Sequence, residues 1–496
     1  MKAAGMRRGG GGEGGGIALS GVGLLLTALL PGRLTAQAVD RTKPPALSPR
    51  PALKLPAVRT ATLPNGLQLA VVEMHKVPVV NVSLVLDAGT VRDPAELPGL
   101  ATFTATMLQQ GAGGRSALDI ADEAAFLGAQ LGTSAGYDVA TVSLQVPKRR
   151  LGPALDLLAD VVVRPAFADS EVTRQRELRR TQLIQQRDEP VQVANVAFPA
   201  IVYGWVHPYG RPLTGTDGSV AGLTRERIAD FHRTFYRPNA TRLLVVGDVT
   251  LDEARRLVAQ RFGSWPRGDV PAAPAAVAPS LSATAPRAIY LIDKPGAAQS
   301  VVRIGHVGPA RDTPDYFALQ VLNTILGGSF TSRLNQNLRE TRGYTYGAGS
   351  SFSLRRRGGP FVAQASVVTA KTDSSLIEFL KELRHIRDEA VPAPELEKAK
   401  QYLTLGLPGD FETTGGAALR FRDLLIYGLP FEYYAGYIDR INAVTAADVQ
   451  RVARQYIDPD RFDIVIVGDR SQIEAGIRAL NEGAIVYRDL WGQPIP

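Results

Sequence analysis

The chain repeats itself, and that repeat limits what it can fold into. Phe235-Tyr236-Arg237-Pro238-Asn239 leads into Leu243-Leu244-Val245-Val246-Gly247-Asp248. Farther on, Tyr456-Ile457-Asp458-Pro459-Asp460 leads into Ile464-Val465-Ile466-Val467-Gly468-Asp469. Each segment reads as a helix end, a turn and a short apolar strand closed by Gly-Asp. Self-similarity at this distance implies two copies of one supersecondary plan. Each copy opens with strand-like runs, Leu67–Val72 and Val79–Leu86 in the first, Ala288–Ile292 and Ser300–His306 in the second. Helical stretches follow. Thr313-Pro314-Asp315 starts one of them, and Ala318, Val321, Leu322 and Ile325 keep helical spacing until Gly327. Strands and helices in runs within each half predict an α+β fold with mostly antiparallel sheets.

Between the copies, residues 266–286 are rich in Pro and Ala and read as a linker. The halves are accordingly 57–265 and 287–490, preceded by a Pro-rich arm over 39–56. Residues 1–38 read as a secretory signal: Arg7-Arg8, an apolar stretch from Ile17 to Leu30, and an Ala36-Gln37-Ala38 cleavage site. That stretch is too short and interrupted for a spanning helix, which needs about 20 apolar residues. The expectation is an exported protein, periplasmic in a Gram-negative cell and otherwise secreted, with no stable membrane insertion after cleavage. No Cys is present, so neither a disulfide framework nor a lipidation cysteine exists. The formal charge of +8 falls to +5 once the +3 of residues 1–38 (Lys2, Arg7, Arg8, Arg33, Glu13) is removed. Such a mild excess without a dense basic run excludes a nucleic-acid partner. The longest cluster, Arg355-Arg356-Arg357, reads as a solvated hairpin tip.

The segment Leu97-Pro98-Gly99-Leu100-Ala101-Thr102-Phe103-Thr104-Ala105-Thr106-Met107-Leu108-Gln109-Gln110-Gly111 carries Leu100, Phe103 and Met107 at helical spacing. From periodicity alone it is a core helix. It also resembles the zinc helix of the pitrilysin/insulinase (M16) peptidases, G-L-A-H-F-x-E-H-M-L-x-x-G-T. In the inverted motif H-x-x-E-H, two His one turn apart bind the metal and Glu serves as base. Thr102 and Thr106 stand at the His positions and Ala105 at the Glu position. The family's third ligand, carried over by spacing and by the Asp188-Glu189-Pro190 turn, falls on Gln182, and an accessory Glu falls on Gln175. Only five His exist (75, 207, 232, 306 and 385), none paired at i,i+3 or i,i+4, so each reads as a core or surface imidazole. The expectation is a chain that binds no metal or other cofactor.

The second half holds the closer match. Leu326-Gly327-Gly328-Ser329-Phe330-Thr331-Ser332-Arg333-Leu334 and Leu338-Arg339-Glu340-Thr341-Arg342-Gly343-Tyr344-Thr345-Tyr346 resemble the family's L-G-G-x-x-S-R-L-x-x-x-L-R-x-x-x-G-x-x-Y signature. The resemblance implies that Arg339 and Tyr346 reach a zinc site on an opposing domain and bind the substrate carbonyl. It also implies that Gly327 and Gly328 lie beside the substrate channel. A guanidinium and a phenol at a developing oxyanion favour its formation. Residues 128–146 resemble the strand region whose edge pairs with peptide in active members.

The resemblance covers roughly residues 57–490. It implies two tandem homologous domains in a clam-like unit, acting as the Arg/Tyr-bearing subunit of a two-chain zinc endopeptidase. The partner would be a homologue with an intact zinc motif, and zinc would sit on that partner. The alternative is a catalytically silent binding or scaffold subunit. An independent hydrolase is disfavoured, because there is no Cys and no Ser in a G-x-S-x-G elbow.

Overall fold

The computed structural model describes residues 53–273 and 287–495. The signal segment, most of the Pro-rich arm and residues 274–286 of the linker lie outside these residues. Six strands form the first sheet: β1 (Val58–Thr62), β2 (Gln68–Glu73), β3 (Val79–Leu86), β4 (Gln130–Ala135), β5 (Ala140–Pro147) and β6 (Thr241–Gly247). Six more form the second: β7 (Ala288–Asp293), β8 (Gln299–Val307), β9 (Thr345–Phe352), β10 (Pro360–Val368), β11 (Asp463–Gly468) and β12 (Ala484–Arg488).

The sheet orders are β1-β2-β6-β3-β5-β4 and β12-β7-β11-β8-β10-β9. Five strands of each sheet therefore follow one plan, as the repeat requires. The Gly-Asp strands β6 and β11 sit third in order in both. Each pairs in parallel with one neighbour (β2, β7) and antiparallel with the other (β3, β8). The sheets differ at one margin, where β1 adds antiparallel and β12 adds parallel. The fold is α+β, with sheets mostly antiparallel.

The central strands β6 and β11 are apolar without alternation because both faces of each sheet are covered there. Leu243, Leu244, Val245 and Val246 on β6 are all buried. Leu69, Val71, Val82, Leu243 and Val245 face the first half's own core, which also holds Phe103, Leu158 and Phe262. Ala70, Val72, Leu244 and Val246 turn the other way and join a core containing Ala417, Ala418, Phe421 and Leu425. Those four belong to helix Thr414–Tyr427 of the second half. The exchange is reciprocal: helix Pro190–Tyr203 of the first half packs Val193, Ala194, Ala197 and Phe198 against Val301, Val362, Val465 and Val467 of the second sheet.

Polar pairs fix the register of both helices. Asn81 Nδ2 donates to Thr414 Oγ1 at 2.9 Å, Arg242 Nη1 to the Leu425 carbonyl at 3.0 Å, and Arg303 Nη2 to Asn195 Oδ1 at 3.2 Å. Two histidines close the lower parts of the cores as neutral rings. His232 and His306 each bond a backbone carbonyl through Nε2 (Val162 and Tyr456), and burial pushes both down to about 4. No described helix is long and apolar enough to cross a membrane.

Phe421 sits on the exchanged helix with almost no solvent contact. Phe421→Ala is expected to cost about 3–5 kcal/mol and to lower one shared unfolding transition in urea. Separate transitions for the two halves would contradict this packing.

Candidate functional site

Helix Leu100–Met107 begins at Gly99, which is left-handed at φ 95° and lies against Gly215, where a Cβ would clash. Asp93 holds the start of the helix: its carboxylate accepts from the Gly99 and Ala101 amides, both at 2.8 Å. Burial nevertheless raises the Asp93 pKa to about 7, against the opposing pull of those amides and of Arg211. Phe103 and Met107 are fully buried, as the spacing predicted.

Both threonines at the metal positions spend their hydroxyls on the backbone. Thr102 Oγ1 donates toward the Leu213 carbonyl at 2.6 Å and the Gly99 carbonyl at 3.0 Å, and Thr106 Oγ1 donates to the Thr102 carbonyl at 3.0 Å. Ala105 is buried. Helix Asp169–Asp188 crosses this region, and its buried side chains are Val172, Arg179 and Leu183. Gln182 lies one position off that stripe and is exposed. The group delivered to Thr102 is instead Arg179, whose Nη1 donates to Thr102 Oγ1 at 3.3 Å and to the Thr214 carbonyl at 3.1 Å. Its guanidinium lies 5.7 Å from the centre of the Phe103 ring. Arg179 is only 8% exposed, and burial alone shifts it, downward, with no carboxylate compensating.

This donor set does not fit a zinc ion. It offers hydroxyls already committed to carbonyls, a methyl group and a fixed positive charge, whereas zinc requires imidazole, thiolate or carboxylate. Among the described residues no group of three or more His, Cys, Asp or Glu is placed to hold a metal.

In the second half, Arg339 and Tyr346 flank a turn into β9. Two π-helical segments, Thr324–Gly328 and Gln336–Thr341, carry the Gly-Gly pair and Arg339. Such i→i+5 turns occur disproportionately at functional sites. Gly327 runs so close to β9 that a Cβ would strike the Ser350 backbone nitrogen, and a Cβ on Gly328 would strike the Asn323 side chain. Close backbone packing is thus what these glycines do within the chain. Asn335 pins the loop between the π-helical segments, donating to the Phe330 carbonyl at 2.6 Å and accepting from the Ala348 amide at 3.2 Å. Arg333 pairs with Glu395 through two bonds of 2.9 and 2.6 Å.

On this rigid base Tyr346 stands 92% exposed. Arg339 lies over the exposed Phe330 ring at 4.6 Å and has Glu340 at 3.5 Å. No hydrogen bond, ion pair or ring contact joins either residue to helix 100–107 among the described residues. The two halves of the expected site stand apart within one chain. The edge strand β4 beside helix 100–107 has one free side, and Gln109 reaches it through Thr133 at 2.9 Å.

Arg355-Arg356-Arg357 is not a solvated tip. The β9–β10 hairpin carries it into the first half, where opposite charge and aromatic rings were waiting. Arg355 lies 3.9 Å from the centre of the Tyr137 ring and 5.0 Å from that of Tyr209. Arg356 donates to Asp87 at 2.8 Å and to the Ile426 carbonyl at 2.6 Å. Tyr209 donates its hydroxyl to Asp138 at 2.6 Å, and Tyr203 donates to the Gly358 carbonyl at 3.0 Å. A linear reading sees three like charges and misses partners more than two hundred residues away. His207, expected to be structural, is buried here, with Nδ1 accepting from the Tyr209 amide at 3.0 Å.

Twin six-stranded sheets with exchanged helices define a two-domain α+β architecture. The insulinase (peptidase family M16) model matches residues 69–217, and the peptidase M16 inactive domain model matches residues 222–403. The chain belongs to the M16 peptidase family. An uncharacterised zinc protease of Mycobacterium leprae is 28% identical over 409 residues, 82% of this chain and 91% of that protein. One from Mycobacterium tuberculosis strain H37Rv is 29% identical over 426 residues, 86% and 96% of the respective chains. A crystal structure of a peptidase M16 inactive domain from Pseudomonas fluorescens superposes with a TM-score of 0.77 at 27% identity, covering 83% of this chain and 98% of that one.

Arg179→Met tests the role of the charge beside Thr102. Replacing a buried unpaired charge by an apolar side chain of similar length is often neutral or stabilising. The variant is expected to change unfolding free energy by less than about 1 kcal/mol, whereas a loss above about 2 kcal/mol would make the guanidinium a structural strut.

Proposed function

We propose that this chain is the metal-free subunit of a two-chain zinc endopeptidase and supplies Arg339 and Tyr346 to a site completed by an M16 homologue. The homologue would hold the zinc and the Glu base, which would supply water activation. The Arg339 guanidinium and the Tyr346 hydroxyl donate to the carbonyl oxygen as it gains negative charge. The chain itself holds no zinc and no other cofactor, a reading supported by the Thr102, Ala105, Thr106 and Arg179 environment.

The observation that carries the proposal is the exposure of Tyr346 beside Arg339 on a locked loop. A large aromatic ring held out in water gains nothing for folding. Its placement becomes useful when a second surface closes over it. The Arg7-Arg8, Ile17–Leu30 and Ala36-Gln37-Ala38 pattern supports export, to the periplasm in a Gram-negative cell. The free edge of β4 supports an extended peptide as substrate.

The alternative, a silent scaffold, makes a different prediction for the same variants. Arg339→Ala and Tyr346→Phe, assayed with a zinc-motif partner, are expected to lower kcat/KM by roughly 10²–10³ each. Thermal stability should change by less than about 0.5 kcal/mol, as for ordinary surface positions. Unchanged turnover with intact complex formation would favour the scaffold.

A further inference from the structure

A separate cavity of about 510 Å³ opens in the second half, between helix 414–427, the turn after β8 and the end of β9. Arg311, Tyr316, Arg420, Asp423, Tyr427 and Tyr434 line it. It lies at the opposite end of β9 from Tyr346. The six residues from Tyr346 to Phe352 span about 20 Å at the usual rise per residue, so this is not the Arg339/Tyr346 site.

The cavity holds a fixed cation that makes no ion pair among the described residues. Arg311 stacks on Tyr316, its guanidinium 3.7 Å from the ring centre, and lies 5.1 Å from the Tyr433 ring. Its Nη2 donates to the Tyr433 hydroxyl at 3.0 Å, and its backbone amide donates to the Arg355 carbonyl at 2.9 Å. No described carboxylate comes within ion-pair distance of it. Neighbouring Arg420 differs, being neutralised by Asp410 through Nε at 2.9 Å. Arg355 also borders the cavity, and its Nη1 is buried without an acceptor. The cavity thus has a guanidinium, that of Arg311, in no ion pair among the described residues, and a single lining carboxylate, Asp423, which is outside ion-pair distance of any described cation.

We propose that this cavity binds a carboxylate of a peptide ligand, with Arg311 as the anchoring residue. A planar guanidinium immobilised between aromatic rings presents its remaining N–H edge as a fork for two oxygens. The volume suits the end of a peptide rather than a whole domain. Asp423 on the same wall decides between anions. It would repel a dianionic phosphate, but it accepts an N–H from a ligand whose carboxylate is only singly charged. The inference concerns this chain alone and does not rest on the partner or on trans catalysis.

The test is fluorescence anisotropy on the full mature chain with three labelled hexapeptides: a free C-terminal acid, its amide, and the amide carrying an internal Glu. The free acid is expected to bind at least tenfold tighter than the amide, and Arg311→Met is expected to erase that preference. Recovery of affinity by the internal Glu assigns the carboxylate to acidic side chains; no recovery assigns it to the C-terminus. If Arg311→Met does not unfold cooperatively, Arg311→Lys replaces it, keeping the charge without the fork, and is expected to lose most of the preference. Competition on the wild type by N-acetylglycine, but not by its amide, gives the same readout without a variant. Equal binding of all three peptides overturns the proposal. So does a preference retained by a folded Arg311 variant, or displacement by inorganic phosphate at concentrations no higher than N-acetylglycine.

Discussion

The exchange of helices between the halves is the constraint on which the rest depends. Each sheet has one face covered by its own helices and the other by a helix from the opposite half. Remove helix 414–427 and the first sheet exposes Ala70, Val72, Leu244 and Val246 to water; remove helix 190–203 and the second exposes Val301, Val465 and Val467. Exposing apolar area costs about 25 cal/mol per Å². The halves are therefore repeats in sequence but one unit energetically. This mutual cover also sets where chemistry can occur. Helix 100–107 and the Arg339/Tyr346 turn are held on separate elements, with no hydrogen bond, ion pair or ring contact between them among the described residues.

Polar contacts sharpen what the apolar exchange begins. Asp138 and Asp87 receive the three-arginine hairpin, while Tyr137, Tyr203 and Tyr209 supply the faces on which Arg355 rests. Burying one partner of such a set without the other would leave an uncompensated charge. The clasp thus favours the single arrangement in which the β4–β5 and β9–β10 turns meet.

Much of this was legible in the chain because it is local. Apolar runs such as Val79–Leu86, the Gly-Asp strand ends and the Pro/Ala linker each report on their own backbone, and the repeat told how many copies to expect. Helix 190–203 was not read from the chain, and nothing in Val193, Ala197 or Phe198 says which sheet it covers. The Arg355 clasp was misread for the same reason, since its acceptors are distant in sequence. At the helix that resembles the family's zinc helix, Thr102, Ala105 and Thr106 were plain. The occupant was not. Arg179 shares a helical face with Leu183, and only the crossing of two helices shows that its charge ends beside Thr102.

The proposed division of one active site between two chains rests on a buried guanidinium at Thr102 and an exposed Arg339/Tyr346 pair. Zinc stoichiometry measures that division most directly. Native mass spectrometry of the complex with a zinc-motif homologue should give one zinc per pair of chains. After separation, the metal should remain with the homologue and this chain should carry none. One tightly held zinc on this chain alone would contradict the account.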